Sequence, residues 1–209
     1  MSSVNDQIIR EYFEHHGFLV RQIRKHVSPG IEEEEESDFW IQNASRIGKT
    51  PVKNLKINHA NIRRIDNALI FVKPWHTETF THGAIEKDED LSKRLANSNK
   101  STEKEFKAWM ELEPLKILVL SKLPKSRVAR EKAIQQIHQT GFNGVLTFDQ
   151  ILSELLDHVT VNRNYQRSDL LQLLRILKTY GLVRPLQLEL FAGIKTKGKT
   201  KKPAKTRAS

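Results

Sequence analysis

The sequence lacks cysteine altogether, and this absence excludes a group of functions at the outset. Without a thiol, the chain can form no disulfide bond, use no thiol nucleophile and build no cysteine-ligated zinc site. Its eight histidines show neither HxxxH nor HExxH spacing, which argues against a zinc site built from histidine. No P-loop or GxGxxG segment is present either.

Long apolar runs are also missing. No run approaches membrane-spanning length, and the N-terminus carries no apolar signal segment. We therefore expect a soluble, cytoplasmic protein without a membrane partner. The 209 residues, 38% of them hydrophobic and 29% charged, are enough for one core with appended segments.

Positive charge dominates the composition, but it is concentrated near the C-terminus. The net charge is +10, and the last 15 residues contain seven basic side chains and no acidic one. We predict a disordered basic tail over 193–209, in which side chains such as Lys199, Lys201 and Lys202 add non-specific affinity for nucleic-acid phosphates. The alternative is a tail that only improves solubility.

Hydrophobic periodicity predicts an α/β domain over 1–148, with a central mixed sheet flanked by helices. A helix from about Asn5 to His16 is followed by a strand that begins at Phe18, with Leu19 facing inward. The remaining elements predicted in this domain are strands at 38–43, 68–72, 115–123 and 144–148, and a helix over 126–139.

From Asp149 onward the pattern is mainly helical, with Asp149 and Ser168 as predicted helix caps. This region, 149–192, is either a winged-helix-like unit or a pair of helices that covers the sheet. In the first case Arg163 and Arg167, in the basic aromatic segment NRNYQR, would contact phosphates. The strongly apolar second helix favours the second case.

The stretch ALIFVKPWH, at 68–76, carries the main candidate site residues. Its apolar run predicts a strand buried on both faces, and Lys73 stands at the end of that strand. A buried ammonium group needs a partner, for which Asp38 is the candidate; alternatively, the ammonium reaches water past the end of the strand. Trp75 and His76 follow, either as a base-stacking residue and a phosphate or proton contact, or as a packing tryptophan and a surface histidine.

The predicted elements come in the order helix, three strands, helical segment, strand, helix and strand. Along this order, the first helix carries Glu11, a strand carries Asp38, and Lys73 stands at the end of a later strand. In this respect the chain resembles the PD-(D/E)XK, or restriction-endonuclease-like, nuclease superfamily over about 5–148. The resemblance implies that Asp38 binds Mg²⁺, that Lys73 contacts the attacking water or the phosphate, and that Glu11 helps to hold the site. Phosphodiester cleavage develops negative charge, which a carboxylate-bound cation neutralises.

One position departs from the family pattern. Phe71 stands two residues before Lys73, where the family has an acid, and one carboxylate at Asp38 is a poor magnesium site. Another acid could supply the missing oxygen; the candidates are Glu11, Asp66 and Glu78. The sequence therefore predicts a nucleic-acid-directed protein that is either an Mg²⁺-dependent phosphodiesterase or a catalytically inactive DNA- or RNA-binding module of the same fold.

Overall fold

A computed structural model describes residues 3–22, 38–46, 59–73, 76–77, 79–87, 89 and 114–183. The described strands are β1 (Phe18–Gln22), β2 (Asp38–Asn43), β3 (Asn67–Lys73), β4 (Leu115–Leu120) and β5 (Gly144–Thr147). The longer described helices are α1 (Ser3–His15), α3 (Arg127–Gln139), α4 (Phe148–His158) and α5 (Asp169–Thr179), and α2 (His82–Glu86) is a short helix. The 3-10 turns lie at Ala44–Arg46 and His59–Arg64.

The strands form one mixed sheet in the order β1-β2-β3-β4-β5. The first three pair antiparallel, and β3, β4 and β5 pair parallel. This confirms the predicted α/β class with a central mixed sheet and flanking helices. Strands β1, β3, β4 and β5 all run in one direction, so their carboxyl ends share one edge of the sheet with the start of β2.

Alternation along the strands divides the core into two layers. Phe39 and Ile41 of β2 are buried in the larger apolar cluster on the first face, and Trp40 packs against the smaller cluster on the second face. In β1 the prediction that Leu19 faces inward is wrong: Leu19 is 55% exposed, whereas Phe18 is buried on the first face. A single exposed leucine is ordinary, because apolar atoms make up much of a folded protein's surface.

Helices α1, α4 and α5 cover the first face and share its core. The α4 residues Ile151 and Leu155 and the α5 residues Leu170 and Leu174 belong to the same apolar cluster as strand β3. Within the described part of the chain, the helices after residue 147 therefore pack as a layer on the sheet and share its core. Helix α4 begins at Phe148 with Thr147 as its N-cap, two residues before the predicted cap Asp149.

A shared core predicts that damage to α4 destabilises the sheet as well. Leu155→Ala is expected to lower the free energy of unfolding by about 2–5 kcal/mol, because Leu155 is only 1% exposed in the first-face core. Leu173→Ala, at a position that is 52% exposed on α5, is the matched control and should cost below about 0.5 kcal/mol. Urea unfolding followed by circular dichroism should show one cooperative transition; an early transition confined to part of the helical signal would contradict the shared core.

Helices α2 and α3 cover the second face. Ile85 of α2 and Ala133 and Ile137 of α3 are buried there with Phe71 of β3. None of the helices in the described part of the chain is both long and apolar enough to span a lipid bilayer.

Candidate functional site

Buried polar side chains gather at the edge where the parallel strands end. Lys73 is only 7% exposed, and in the strand register it aligns with Leu120 on β4, which aligns in turn with Thr147 on β5. Ser121 follows Leu120 and is also buried. In open α/β sheets, ligands bind at the carboxyl ends of the strands, so this carboxyl edge is the candidate site.

The antiparallel pairing of β2 with β3 fixes the relative positions of Asp38 and Lys73, the two residues that the sequence analysis predicted to be partners. Asp38 is the register partner of Phe71, and Lys73 lies two residues farther along β3. Because residues two apart on a strand share a face, positions 38 and 73 lie on the same face as diagonal neighbours. Long side chains can span such a diagonal.

Phe71 occupies the position where the family pattern has an acid. Its ring is buried in the second-face cluster and packs edge-on against Phe142, with the ring centroids 5.3 Å apart. This apolar packing offers no oxygen ligand to a cation, so a second carboxylate must come from another element.

The candidate acid Asp66 does not reach this edge. It precedes β3 and pairs with Arg46, with the Arg46 Nε atom 2.6 Å from Oδ1. The length of β3 separates it from Lys73 by roughly 20 Å. Glu78 lies outside the described residues.

An acid that the sequence reading missed does lie at the carboxyl edge. Asp6 is in the first turn of α1, and its Oδ2 accepts a hydrogen bond of 3.1 Å from Nε2 of Gln22, the last residue of β1. Its other oxygen, Oδ1, is buried and has no hydrogen-bond partner among the residues that the structure describes. A buried carboxylate oxygen without a donor is costly, which makes it a ready ligand for a cation.

Glu11 lies farther from the edge, in a different setting. It is five residues beyond Asp6, or about 7 Å along the helix axis. Its side chain lines a groove of about 460 Å³ between α1 and the α4–α5 connection. The structure therefore puts Asp6, rather than Glu11, at the end of α1 that meets the carboxyl edge.

The predicted phosphate contacts Arg163 and Arg167 are exposed in the α4–α5 connection. Arg167 lines the same groove as Glu11, on the side of the molecule that the first-face helices form. That groove lies beside the C-terminal half of α1, whereas the N-terminal end of α1 meets the carboxyl edge, so Arg167 is not grouped with Lys73. The other predicted contacts, Trp75, Lys199, Lys201 and Lys202, lie outside the described residues.

His76 is held at the carboxyl edge by two neighbours. Its Nε2 is 3.0 Å from Oδ1 of Asn5, at the start of α1, and its ring packs edge-on against Phe148. Because a carbonyl oxygen only accepts, Nε2 carries the hydrogen, and Nδ1 is the basic nitrogen of the neutral ring. His76 is therefore fixed between the starts of α1 and α4, at the carboxyl edge.

A second polar cluster, also missed from the sequence, is buried at the far end of α1. The Tyr12 hydroxyl lies 2.7 Å from His59 Nδ1, and Glu154 on α4 lies 3.4 Å from the same nitrogen. Arg63 Nε donates to His16 Nδ1 over 3.0 Å, so that nitrogen is unprotonated. His16 Nε2 then faces Glu154 Oε1 at 3.2 Å. Only the adjacent histidines at the helix end could have signalled this cluster, because its partners come from distant segments.

Burial decides the ionisation of this cluster. It lowers the pKa of His16 to about 4, with Arg63 and His15 acting in the same direction and Glu154 against it. Burial likewise lowers the pKa of His59, and it raises the pKa of Tyr12 with a further contribution from Glu154. His16, His59 and Tyr12 are therefore neutral at pH 7. Tyr12 is fully buried and inaccessible to a substrate, which gives the cluster a structural role.

Magnesium ions in proteins are bound mainly by carboxylate and carbonyl oxygens. Within the described part of the chain, no group of three or more histidine, aspartate or glutamate residues is arranged to hold a metal ion. The Asp38 side chain lies outside that description. Asp6 Oδ1, which has no donor among the described residues, is an oxygen of the type that a hard cation takes.

Comparisons of the chain with protein-family models, curated proteins and solved structures found no match. The class of the protein is therefore defined by its own architecture: an α/β protein with a five-stranded mixed sheet and flanking helices.

Proposed function

We propose that the protein acts on the phosphodiester backbone of nucleic acids, as an Mg²⁺-dependent hydrolase of the restriction-endonuclease-like fold. The observation that carries this proposal is the β2–β3 register, which makes positions 38 and 73 diagonal neighbours at the carboxyl edge. The element order also agrees with the resemblance, since a helix and an antiparallel three-strand meander precede two parallel strands.

In this proposal each residue at the edge has a stated role. Asp38 and Asp6 hold the cation, which supplies charge neutralisation at the phosphate when it is bound. Lys73 holds the attacking water or a phosphate oxygen, and its burial strengthens that contact because the local dielectric constant is low. His76 is available through Nδ1 to accept a proton or to donate to phosphate after protonation.

Cleavage of supercoiled plasmid with Mg²⁺ or Mn²⁺ tests this proposal. Asp38→Asn and Lys73→Met are each expected to reduce the rate about 100-fold or more, because each removes a charge that acts on the developing phosphate charge. Asp157→Asn and Lys87→Met, at exposed positions, are matched controls and should stay within about twofold. Equal rates in wild type and Asp38→Asn would show that the activity does not come from this site.

A second candidate, the inactive nucleic-acid-binding module, is favoured by one observation, the apolar packing of Phe71. In that case the acid position of the pattern has become part of the hydrophobic core, and the fold alone is retained. This module predicts that the protein binds DNA or RNA but leaves the plasmid uncut with either metal. Binding and cleavage measured on the same preparation therefore separate the two functions.

A further inference from the structure

Five basic side chains are exposed on one short segment between β4 and the second turn of α3. They are Lys122, Lys125, Arg127, Arg130 and Lys132. Glu131 is the one acidic residue between positions 121 and 132. This basic turn is part of the described structure, and it is distinct from the basic tail predicted at the C-terminus.

The basic turn begins at the carboxyl edge. Lys73 on β3 aligns with Leu120 on β4, and the buried Ser121 follows. Lys122 is thus only two residues beyond the register partner of Lys73. A polyanion bound along the turn would pass directly over the ends of β3 and β4.

Backbone contacts hold the basic turn in place. The carbonyl oxygen of Lys122 accepts a hydrogen bond from the Phe80 amide over 3.1 Å, and Arg130 Nε donates to the Pro124 carbonyl over 3.1 Å. Pro124 itself is buried. A fixed turn presents its cations without a large loss of conformational freedom when a ligand binds.

The three lysines of the basic turn, unlike its two arginines, are available for an external partner, and Lys122 and Lys125 are the two nearer to the end of β4. Arg127 is engaged with Glu131 on the next helical turn, with Nε and Oε1 2.8 Å apart. The ammonium groups of Lys122 and Lys125 form neither an ion pair nor a hydrogen bond with any of the described residues. Exposed lysines without acidic partners are the residues that neutralise phosphates in sequence-independent binding.

We propose that the basic turn, through Lys122 and Lys125, binds the sugar-phosphate backbone of the nucleic acid and directs it across the carboxyl edge. This inference rests on the proposed function, because it assigns the substrate-binding surface of that same site. The two lysines contact the phosphates of the nucleic acid and not its bases, so this binding is independent of base sequence.

The test is metal-free binding of a short, fluorescently labelled DNA duplex to the full chain, measured over roughly 50–200 mM salt. The double variant Lys122→Gln/Lys125→Gln is compared with the charge-matched control Arg64→Gln/Lys87→Gln, whose residues are exposed on the 3-10 turn and at the C-terminal end of α2. We expect the first variant to bind about 10-fold more weakly or worse, and its salt slope to fall by about 1 for each lysine. The control should keep at least half of the wild-type affinity.

Equal losses in the two variants would overturn the assignment, since they would show that only total charge matters. No loss in the lysine variant would overturn it as well. Cleavage by the lysine variant at saturating DNA separates this inference from the proposed function: an unchanged maximal rate with a raised KM supports the binding role. A protein that binds the duplex through Lys122 and Lys125 but never cuts it would retain this surface while the hydrolase proposal fails.

Discussion

Asp6→Asn is expected to reduce Mg²⁺-dependent cleavage about 100-fold or more, whereas Glu11→Gln should leave it within about twofold. Asp6 has a buried, unpartnered Oδ1 at the carboxyl edge, and Glu11 lines a groove farther along α1. Asparagine keeps an oxygen that can accept the hydrogen bond from Gln22, so the variant removes the negative charge with little change in the fold.

Magnesium titration makes this comparison sharper. If Asp6 binds the cation, Asp6→Asn should raise the Mg²⁺ concentration needed for half-maximal cleavage, and Glu11→Gln should not. If Glu11→Gln raises the required Mg²⁺ concentration and Asp6→Asn does not, then Glu11 is the acid on α1 that serves the site, as the family resemblance implies. Circular dichroism of both variants checks that α1 is intact.

Acidification is expected to destabilise the protein through His16. The pKa of this buried side chain is lowered from 6.5 to about 4, so between these two values the unfolded chain binds a proton that the folded chain does not. The free energy of unfolding therefore falls as the pH drops below 6.5, and the loss is complete near pH 4. At about 1.36 kcal/mol for each tenfold change in proton affinity, the full loss is roughly 3 kcal/mol.

His16→Gln isolates this contribution. A glutamine can accept from Arg63 through its oxygen and donate toward Glu154 through its nitrogen, but it does not titrate. Between pH 7 and 4.5, wild type should lose roughly 2–3 kcal/mol more than His16→Gln in urea unfolding. His82→Gln, which replaces a half-exposed histidine, is the control and should follow wild type. Identical pH profiles for wild type and His16→Gln would contradict this role of burial.

Local sequence patterns were sufficient to predict most of the described secondary structure. The continuous apolar run before Lys73 predicted β3, and all seven residues of that strand are buried. The helix that ends before Gly17 and the Ser168 cap, whose hydroxyl accepts from the Leu171 amide, were also confirmed. These features depend on residues close together in sequence, so periodicity and turn chemistry detect them.

Local patterns could not predict which of the two acids on α1 lies at the carboxyl edge. Glu11 and Asp6 are both acidic residues on one amphipathic helix, and periodicity does not say which end of α1 meets the carboxyl edge. The antiparallel return of the chain through Gly17 into β1 puts the start of α1 beside Gln22, and hence Asp6 at that edge. The cluster around His16 is hidden for the same reason, since Arg63 and Glu154 reach it from distant segments.

The sequence by itself determined the α/β class, the buried strand that ends at Lys73 and the absence of thiol chemistry. Tertiary structure alone decided that positions 38 and 73 share a face, that Asp6 rather than Glu11 lies at the carboxyl edge, and that α4 and α5 join the core of the sheet. The physical reason is range: propensity and periodicity act over a few residues, whereas strand register and helix packing arise from pairings between segments tens of residues apart.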